Sequence, residues 1–346
     1  MNENTAWNLG EESEILRHRE GEVMRGLLWE LKKVIVGHEP ETEEIVVCLL
    51  AGGHCLLEGL PGVAKTLTIK TLAQAVDVDF TRIQFTPDLV PSDIVGTRIY
   101  RASREEFDIE LGPVFTNFVL ADEINRAPAK VQSAMLEVMA ERQVSIGGQT
   151  WAMPRPFLVM ATQNPIETEG VYPLPEAQRD RFLVKILINY PQAGDELEIV
   201  RRMSTGTPVP KQVLDAERLT ALQDAATQVY VDPLVMEYAV ALVMSTRTPS
   251  ELGFGDIAPY LSVGASPRAS LGLIAAARAF ALIHGRGYAV PEDVHHLAPA
   301  VLRHRLVLTY EALADGVTAD DIIHKLLDRV HQPRPAKTRS SLWGRS

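Results

Sequence analysis

Apolar residues in the first half of the chain fall in short, near-continuous runs, and the spacing between those runs is helical. Runs at residues 54–58, 80–85, 118–122, 157–162 and 183–188 predict five strands. Their alternation with helices predicts an α/β fold with a mostly parallel five-stranded sheet. Strands that are apolar on both sides imply helices on both faces of that sheet. Pro191 ends the pattern. From Gly194 onward no run reads as a core strand, and helices are predicted at 195–203, 216–230, 234–246, 267–284, 291–302 and 319–330. Ser266-Pro267 and Val290-Pro291-Glu292-Asp293 put proline and acids where a first helical turn accepts them. The chain thus divides into a flexible N-terminal segment (1–21), an α/β core (22–191), an all-α domain (192–332) and a disordered tail (333–346). The tail is polar and basic, with Arg334, Lys337, Arg339 and Arg345. Residues 248–264, with three Gly and two Pro, form the longest irregular insert.

At 346 residues the chain exceeds one average domain, and 46% hydrophobic with 23% charged residues is ordinary for a protein with a sizeable core. A formal net charge of −11 argues against an adapter for nucleic acid and leaves a local basic groove open. Cys48 and Cys55 fit neither a disulfide framework nor CxxC zinc spacing, and their apolar surroundings predict buried thiols. Adjacent His295 and His296 point in different directions on a helix and no HExxH is present, so no zinc site is expected. Residues 1–20 lack the basic-then-apolar order of a signal peptide. The most apolar helical stretch, 269–284, carries Arg278 and is shorter than the roughly 20 residues of a membrane span. A cytoplasmic protein is expected.

The chemistry concentrates at three strand ends. Gly59-Leu60-Pro61-Gly62-Val63-Ala64-Lys65-Thr66 follows a strand ending at Glu58 and opens a helix near Lys65, the context in which a Gly-rich loop cradles phosphates. Lys65 adds a mobile charge, and the Thr66 hydroxyl suits Mg²⁺. Ala64 stands where the general motif has Gly; as a residue already entering the helix it needs no positive φ. The run 118–121 delivers Asp122 and Glu123 to the edge where ligands gather on open parallel sheets. Asp122 can hold a Mg²⁺-bound water, and Glu123 can polarise the attacking water, since phosphoryl transfer depends on positioning more than on covalent chemistry. The run 157–162 leads to Gln163 and Asn164, whose amide would orient that water; Asn before Pro165 is also a turn signal. Arg181, in Arg179-Asp180-Arg181-Phe182, and Arg268, at a helix start, are candidate guanidiniums for the transition-state charge. Supplied in trans, they would couple hydrolysis to assembly; a structural salt bridge is the alternative for each.

Taken in order, these residues resemble the MoxR-type AAA+ ATPases, over about residues 34–330. The resemblance rests on Val34-Ile35-Val36-Gly37, Leu49-Leu50-Ala51-Gly52-Gly53-His54, the loop 59–66 and Phe85-Thr86-Pro87-Asp88-Leu89-Val90-Pro91-Ser92-Asp93. It continues through Leu120-Ala121-Asp122-Glu123-Ile124-Asn125-Arg126-Ala127 and Ala161-Thr162-Gln163-Asn164-Pro165-Ile166-Glu167. It closes with Tyr172-Pro173-Leu174-Pro175-Glu176-Ala177-Gln178, Asp180-Arg181-Phe182 and Gly264-Ala265-Ser266-Pro267-Arg268-Ala269.

The resemblance implies a AAA+ P-loop core with an α-helical lid, usually in a hexameric ring. It also implies Mg²⁺-ATP hydrolysis driving chaperone-like remodelling, assembly or maturation of protein complexes, metal or cofactor insertion among them, with von Willebrand factor A domain partners. Lys65 and Thr66 become Walker A, with Gly59, Pro61, Gly62, Val63, Ala64 and Leu67 completing the phosphate-binding set. Asp122 and Glu123 become Walker B, with Thr66 and Asp122 as the metal pair. Asn164 becomes sensor 1, Arg181 the arginine finger and Arg268 sensor 2; Ile35, Val36 and Gly37 line the adenine pocket. The family tolerates Ala64. The chain departs from it at His38, where Gln is frequent, and at Arg179, where an apolar residue is common, which sets Arg179 beside Arg181 in the question of the finger. Residues 87–96 resemble the helix-2 insert, followed by a hairpin at 98–111. A second hairpin at 142–151 turns at Gly147-Gly148, which suits a type I′ loop. A nucleic-acid motor and a nucleotide-gated scaffold are the competing function classes.

Overall fold

A computed structural model describes residues 11–60, 62–103, 105–165, 170–206 and 208–333. Pro61, Ile166, Glu167 and the basic tail from Arg334 lie outside the described residues. Five strands form the central sheet: β1 (Cys55–Gly59), β2 (Phe80–Gln84), β5 (Phe118–Asp122), β8 (Leu158–Gln163) and β9 (Val184–Ile188). Their order is β2-β5-β8-β1-β9, every pair parallel, within a residue of the predicted bounds at most ends. Alternation on the strands sorts the side chains into two cores. Cys55, Leu57, Phe118, Leu120, Leu158 and Met160 enter one, while Leu56, Val119, Ala121, Val159 and Ala161 enter the other. Helices α2 (Glu39–Leu50) and α3 (Lys65–Val76) cover the first face, and α5 (Ala129–Glu141) covers the second.

Two antiparallel hairpins depart from this frame. Strands β3 (Gly96–Arg101) and β4 (Glu106–Leu111) follow the one-and-a-half-turn helix α4 (Pro91–Val95). At their base the two backbones touch: a Cβ on Gly96 would lie 2.6 Å from the Gly112 nitrogen, and one on Gly112 would lie 2.2 Å from the Ile94 carbonyl oxygen. Strands β6 (Gln143–Ile146) and β7 (Gln149–Ala152) form the second hairpin. Its turn has φ of 59° at Gly147 and 85° at Gly148, the paired positive values a type I′ loop needs.

After α6 (Glu176–Arg179) and β9 the chain becomes mainly helical: α7 (Ala193–Thr205), α8 (Ala216–Thr227), α9 (Pro233–Arg247), α10 (Pro267–Ile283), α11 (Pro291–Leu302), α12 (Tyr310–Ala314) and α13 (Ala319–Arg329). The predicted starts carry caps. Ser266 accepts from the Arg268 amide and Thr318 from the Asp321 amide, while the Asp293 side chain accepts from the Val290 amide. Two short strand pairs, Tyr230–Val231 with Tyr288–Ala289 and Leu261–Val263 with Val307–Leu308, add β structure to a domain expected to be all-helical, mostly in the segments between its helices. The insert at 248–264 is folded in through the buried side chains of Phe254 and Ile257. Helix α10 is rich in alanine and buried on most sides, so α1 (Glu11–Val34), α2, α8, α9 and α11 all pack on it. The lid therefore shares a core with one face of the sheet.

The first helix corrects one expectation. Helix α1 runs Glu11–Val34, so residues 11–21 are helical and the expected boundary at 21/22 falls inside it. Met24, Leu27 and Leu31 bury its later turns, but its earlier part docks through polar groups and close backbone approach. Arg17 Nη1 donates to the Ala225 carbonyl at 3.1 Å and Arg25 Nη1 to that of Ile283 at 3.3 Å. A Cβ on Gly21 would stand 2.6 Å from the Gly285 Cα, backbone against backbone. Gly21→Ala should therefore lower the unfolding free energy in urea by about 1–3 kcal/mol, the usual cost of overpacking. Gly26→Ala, whose Cβ meets only a Val213 methyl at 3.7 Å, should be neutral or stabilising by up to about 1 kcal/mol. Equal behaviour of the two variants would show that α1 is not closely docked at Gly21.

Candidate nucleotide-binding and active site

The parallel register brings the polar strand ends into line. Gln84 pairs with Asp122 across β2 and β5, and Ala121 with Ala161 across β5 and β8, which sets Asp122 level with Thr162. Thr162 pairs in turn with Leu57 of β1, just ahead of the Gly-rich loop. Gln84, Asp122, Thr162 and the loop thus share the carboxyl edge of the sheet, where ligands collect on open α/β sheets.

The loop turns sharply into α3. Gly62 has φ of 83° and open space where a Cβ would stand. Ala64 also has a left-handed backbone, φ 57°, which corrects the expectation that it enters the helix at negative φ. Alternating backbone hand across residues 62–64 aims successive amides into one concavity, a shape that binds anions. Holding alanine in this region costs roughly 1–2 kcal/mol, which the next turn helps offset by bonding the Ala64 carbonyl to the Thr68 amide (2.9 Å) and hydroxyl (3.0 Å). Lys65 Nζ donates to the Gly59 carbonyl at 2.8 Å, so it lies back over the loop. The Thr66 side is exposed at the helix start.

The side chains of Asp122 and Glu123 are held by neighbours outside the expected set of site residues. Thr162 Oγ1 donates to Asp122 Oδ1 at 2.6 Å and accepts from the Glu123 amide at 2.8 Å. Arg82 donates to Asp122 Oδ2 from Nε at 2.9 Å and from Nη2 at 2.6 Å, and Nη2 also reaches Gln84 Oε1 at 2.7 Å. Gln84 Nε2 donates to Glu123 Oε2 at 2.8 Å, and Arg126 Nε stands 3.1 Å from the same oxygen. Glu123 itself is left-handed, φ 57°, a strain typical of functional sites. The signal for Arg82 and Gln84 was present: two polar residues at i and i+2 in an otherwise strand-like run face the same side.

These groups line a cavity of about 440 Å³ formed by Gly62 to Leu67, Arg82, Asp122, Glu123 and Asn164. Five expected groups therefore converge: Lys65, Thr66, Asp122, Glu123 and Asn164. Converging amides, an ammonium and two hard oxygen donors, Thr66 and Asp122, fit a Mg²⁺-nucleotide. Ile35, Val36 and Gly37 stand outside this cavity, at the junction with the lid. There Ile35 is buried, and a Cβ on Gly37 would meet the Asp195 side chain of α7 at 2.8 Å.

Arg181 and Arg268 do not join Lys65. They line a separate groove of about 390 Å³ together with Asp180 and Arg305. Arg181 Nη1 donates to the Leu136 carbonyl at 2.9 Å. Asp180 gathers the Arg305 guanidinium at 3.0 Å, the Ser266 hydroxyl at 2.8 Å and Arg268 Nη1 at 3.6 Å, tying the loop before β9 to the lid. Arg305 is buried and also donates to the carbonyls of Phe182, Leu183 and Val301, so burial and neighbouring Arg268 lower its pKa while Asp180 raises it. Arg179 lies elsewhere again, in a cavity of about 810 Å³ with Glu58 and Asn164. The two finger candidates, two residues apart, thus face different spaces.

Known proteins match this arrangement. The family described as "ATPase family associated with various cellular activities (AAA)" matches residues 54–184, and the AAA lid domain matches 255–326. Chaperone MoxR1 of Mycobacterium tuberculosis is 59% identical over 307 residues, 89% of this chain and 81% of that protein. YeaC, an uncharacterized protein of Bacillus subtilis, is 43% identical over 305 residues, 88% of this chain and 92% of its own. Protein MoxR of Methylorubrum extorquens is 30% identical over 323 residues, 88% and 93% of the two chains. A crystal structure from Cytophaga hutchinsonii, described as a candidate ATPase, superposes with a TM-score of 0.86 at 43% identity, covering 94% of this chain and 98% of that one. With its P-loop, its paired acids at the end of β5 and its helical lid, the chain belongs to the MoxR family of AAA+ ATPases.

Proposed function

We propose that the protein hydrolyses Mg²⁺-ATP in an assembled ring, hexameric by family resemblance, and uses the cycle to remodel or mature protein complexes. The observation that carries the reading is the convergence of Lys65, Thr66, Asp122, Glu123 and Asn164 on one cavity at the carboxyl edge of the sheet. Loop amides and Lys65 would hold the β- and γ-phosphates. Thr66 and Asp122 would hold Mg²⁺, which supplies charge neutralisation on the phosphate oxygens when bound. Glu123 would accept the proton side of the attacking water, with Asn164 fixing its direction. The separation of Arg181 and Arg268 from Lys65 supports their action on a neighbouring subunit's nucleotide. Asp180 ties Arg268 to the loop that carries Arg181, while Arg181 itself is anchored to the Leu136 carbonyl of α5, so the two guanidiniums flank one groove from the lid and from the core.

The remodelling role rests on the MoxR relatives, one of them named a chaperone, and on the two hairpins. Tyr100 and Phe107 stand exposed on the first hairpin, with Trp151 on the second, as surface for a protein client. Partners with von Willebrand factor A domains follow from the family resemblance. A net charge of −11 disfavours a nucleic-acid substrate. Among the described residues, no helix is long and apolar enough to cross a membrane.

Glu123→Gln should bind ATP with near-parental affinity while turnover falls about 10²–10⁴-fold, as expected for loss of a general base. Lys65→Ala should lose nucleotide binding. Parental hydrolysis by Glu123→Gln would sink the site assignment, and the same variant, loaded with ATP, is the bait for identifying a client. Arg181→Ala should fail to hydrolyse even at saturating ATP, and mixing it with Lys65→Ala should restore part of the activity, since each supplies what the other lacks. A mixture as inactive as its parts, or full activity of Arg181→Ala alone, would exclude the trans role.

A further inference from the structure

Asp122 carries the strongest contacts in the site, and one of its oxygens is taken by a cation of the protein's own. Oδ1 accepts from Thr162, while Oδ2 accepts both Nε and Nη2 of Arg82. The Asp122 side chain is 13% exposed and the Arg82 side chain 49%. A carboxylate this enclosed holds its charge at a cost unless a counter-charge stands by. Arg82 is built for that task, because its planar fork places two donors on one oxygen. Its stem rises from β2, the edge strand of the sheet, so the guanidinium has open space into which it can swing.

We propose that Arg82 is a resident counter-cation of the metal site. It neutralises Asp122 while no metal is bound, must leave Oδ2 when a divalent cation enters, and thereby sets the metal affinity of the nucleotide site. The proposal rests on the reading of Thr66 and Asp122 as the metal pair. Two guanidinium donors on Oδ2 compete with a Mg²⁺-bound water for the same lone pairs, and the two like charges repel in a partly buried place. Competition is therefore the physical outcome, and each contact Arg82 makes with Asp122 subtracts from the gain of metal entry. The same Nη2 fixes Gln84, which holds Glu123, so displacement of Arg82 loosens the hold on the acid that would activate water. Arg82 is in this sense a positioning residue that acts through Asp122 and Gln84.

The full-length protein, saturated with ADP, is titrated with Mn²⁺ and free Mn²⁺ is read from its electron paramagnetic resonance signal. Arg82→Met, which keeps the length of the stem and removes the charge, should bind Mn²⁺ about three- to tenfold more tightly; the gain is modest because an exposed pair is screened. Arg82→Lys, with a charge and no fork, should fall between Met and the parent. Asp122→Asn should weaken Mn²⁺ binding whatever stands at 82, which tests the metal reading itself. If Asp122→Asn binds Mn²⁺ as the parent does, the metal pair is misassigned. If Asp122→Asn weakens binding but Arg82→Met leaves it unchanged or weaker, Arg82 is only an edge-strand salt bridge and the counter-cation role is overturned. Near-ultraviolet circular dichroism of each variant establishes that it is folded before its affinity is compared.

Discussion

Two parallel strands, β5 and β8, end side by side, and the hydroxyl of Thr162 on one closes the gap to the other. It donates to the Asp122 carboxylate and accepts from the Glu123 amide, so a single oxygen fixes both acids. A slip of one residue between the strands would turn Asp122 toward a core lined by Val119 and Ala121's neighbours and leave Thr162 without either partner. The register is guarded by the two cores, because the apolar side chains of β5 and β8 are committed alternately to one face and the other. Packing far from the phosphates therefore decides whether the acids stand where chemistry needs them.

Much of this was legible in the sequence because the relevant signals are local. The central strands β1, β5 and β8, buried on both faces, read as apolar runs, and the edge strands β2 and β9 stand out by their length and spacing even though polar residues interrupt them. The Gly147-Gly148 turn followed from backbone sterics alone, and the Gly-rich loop declared itself between a strand and a helix. What escaped was what depends on contacts across the chain. The first turns of α1 are charged and dock through Arg17, Arg25 and the Gly21–Gly285 approach, none of which leaves a hydrophobic period. The motif's spacing puts Ala64 at the helix entrance, where no positive φ is expected, whereas the loop's need to aim its amides imposes a left-handed turn one residue before the helix. Arg82 and Gln84 are polar positions within the 80–85 run that no motif marks, and only pairing with β5 brings them to the acids.

The two arginines show another limit of a linear reading. Motif order assigns Arg181 and Arg268 to a nucleotide but is silent on whose. In space they share a groove with Asp180 and Arg305, away from the chain's own Lys65. Asp180, next to Arg181 in sequence, joins that loop to Ser266 and Arg268 at the start of α10, whereas the Arg181 guanidinium is held by the Leu136 carbonyl of α5. Arg268 is thus tied to the lid and Arg181 to the core, and a lid that shares its core with the sheet can shift only by repacking that core.

The narrow base of the β3–β4 hairpin gives the edge strand a mechanical meaning. From Gln84, which touches Glu123, the chain passes through buried Phe85 and the short helix α4 to Gly96, where it is pinched against Gly112. The Gly112 amide donates to the Val95 carbonyl at 3.2 Å and the Val114 amide to that of Ile94 at 3.3 Å, with the Ile94 and Val114 side chains buried in the second core. Edge strand, neck and hairpin base are therefore one continuous, closely packed stretch of chain, and the hairpin is seated on the same core that sets the height of the two acids.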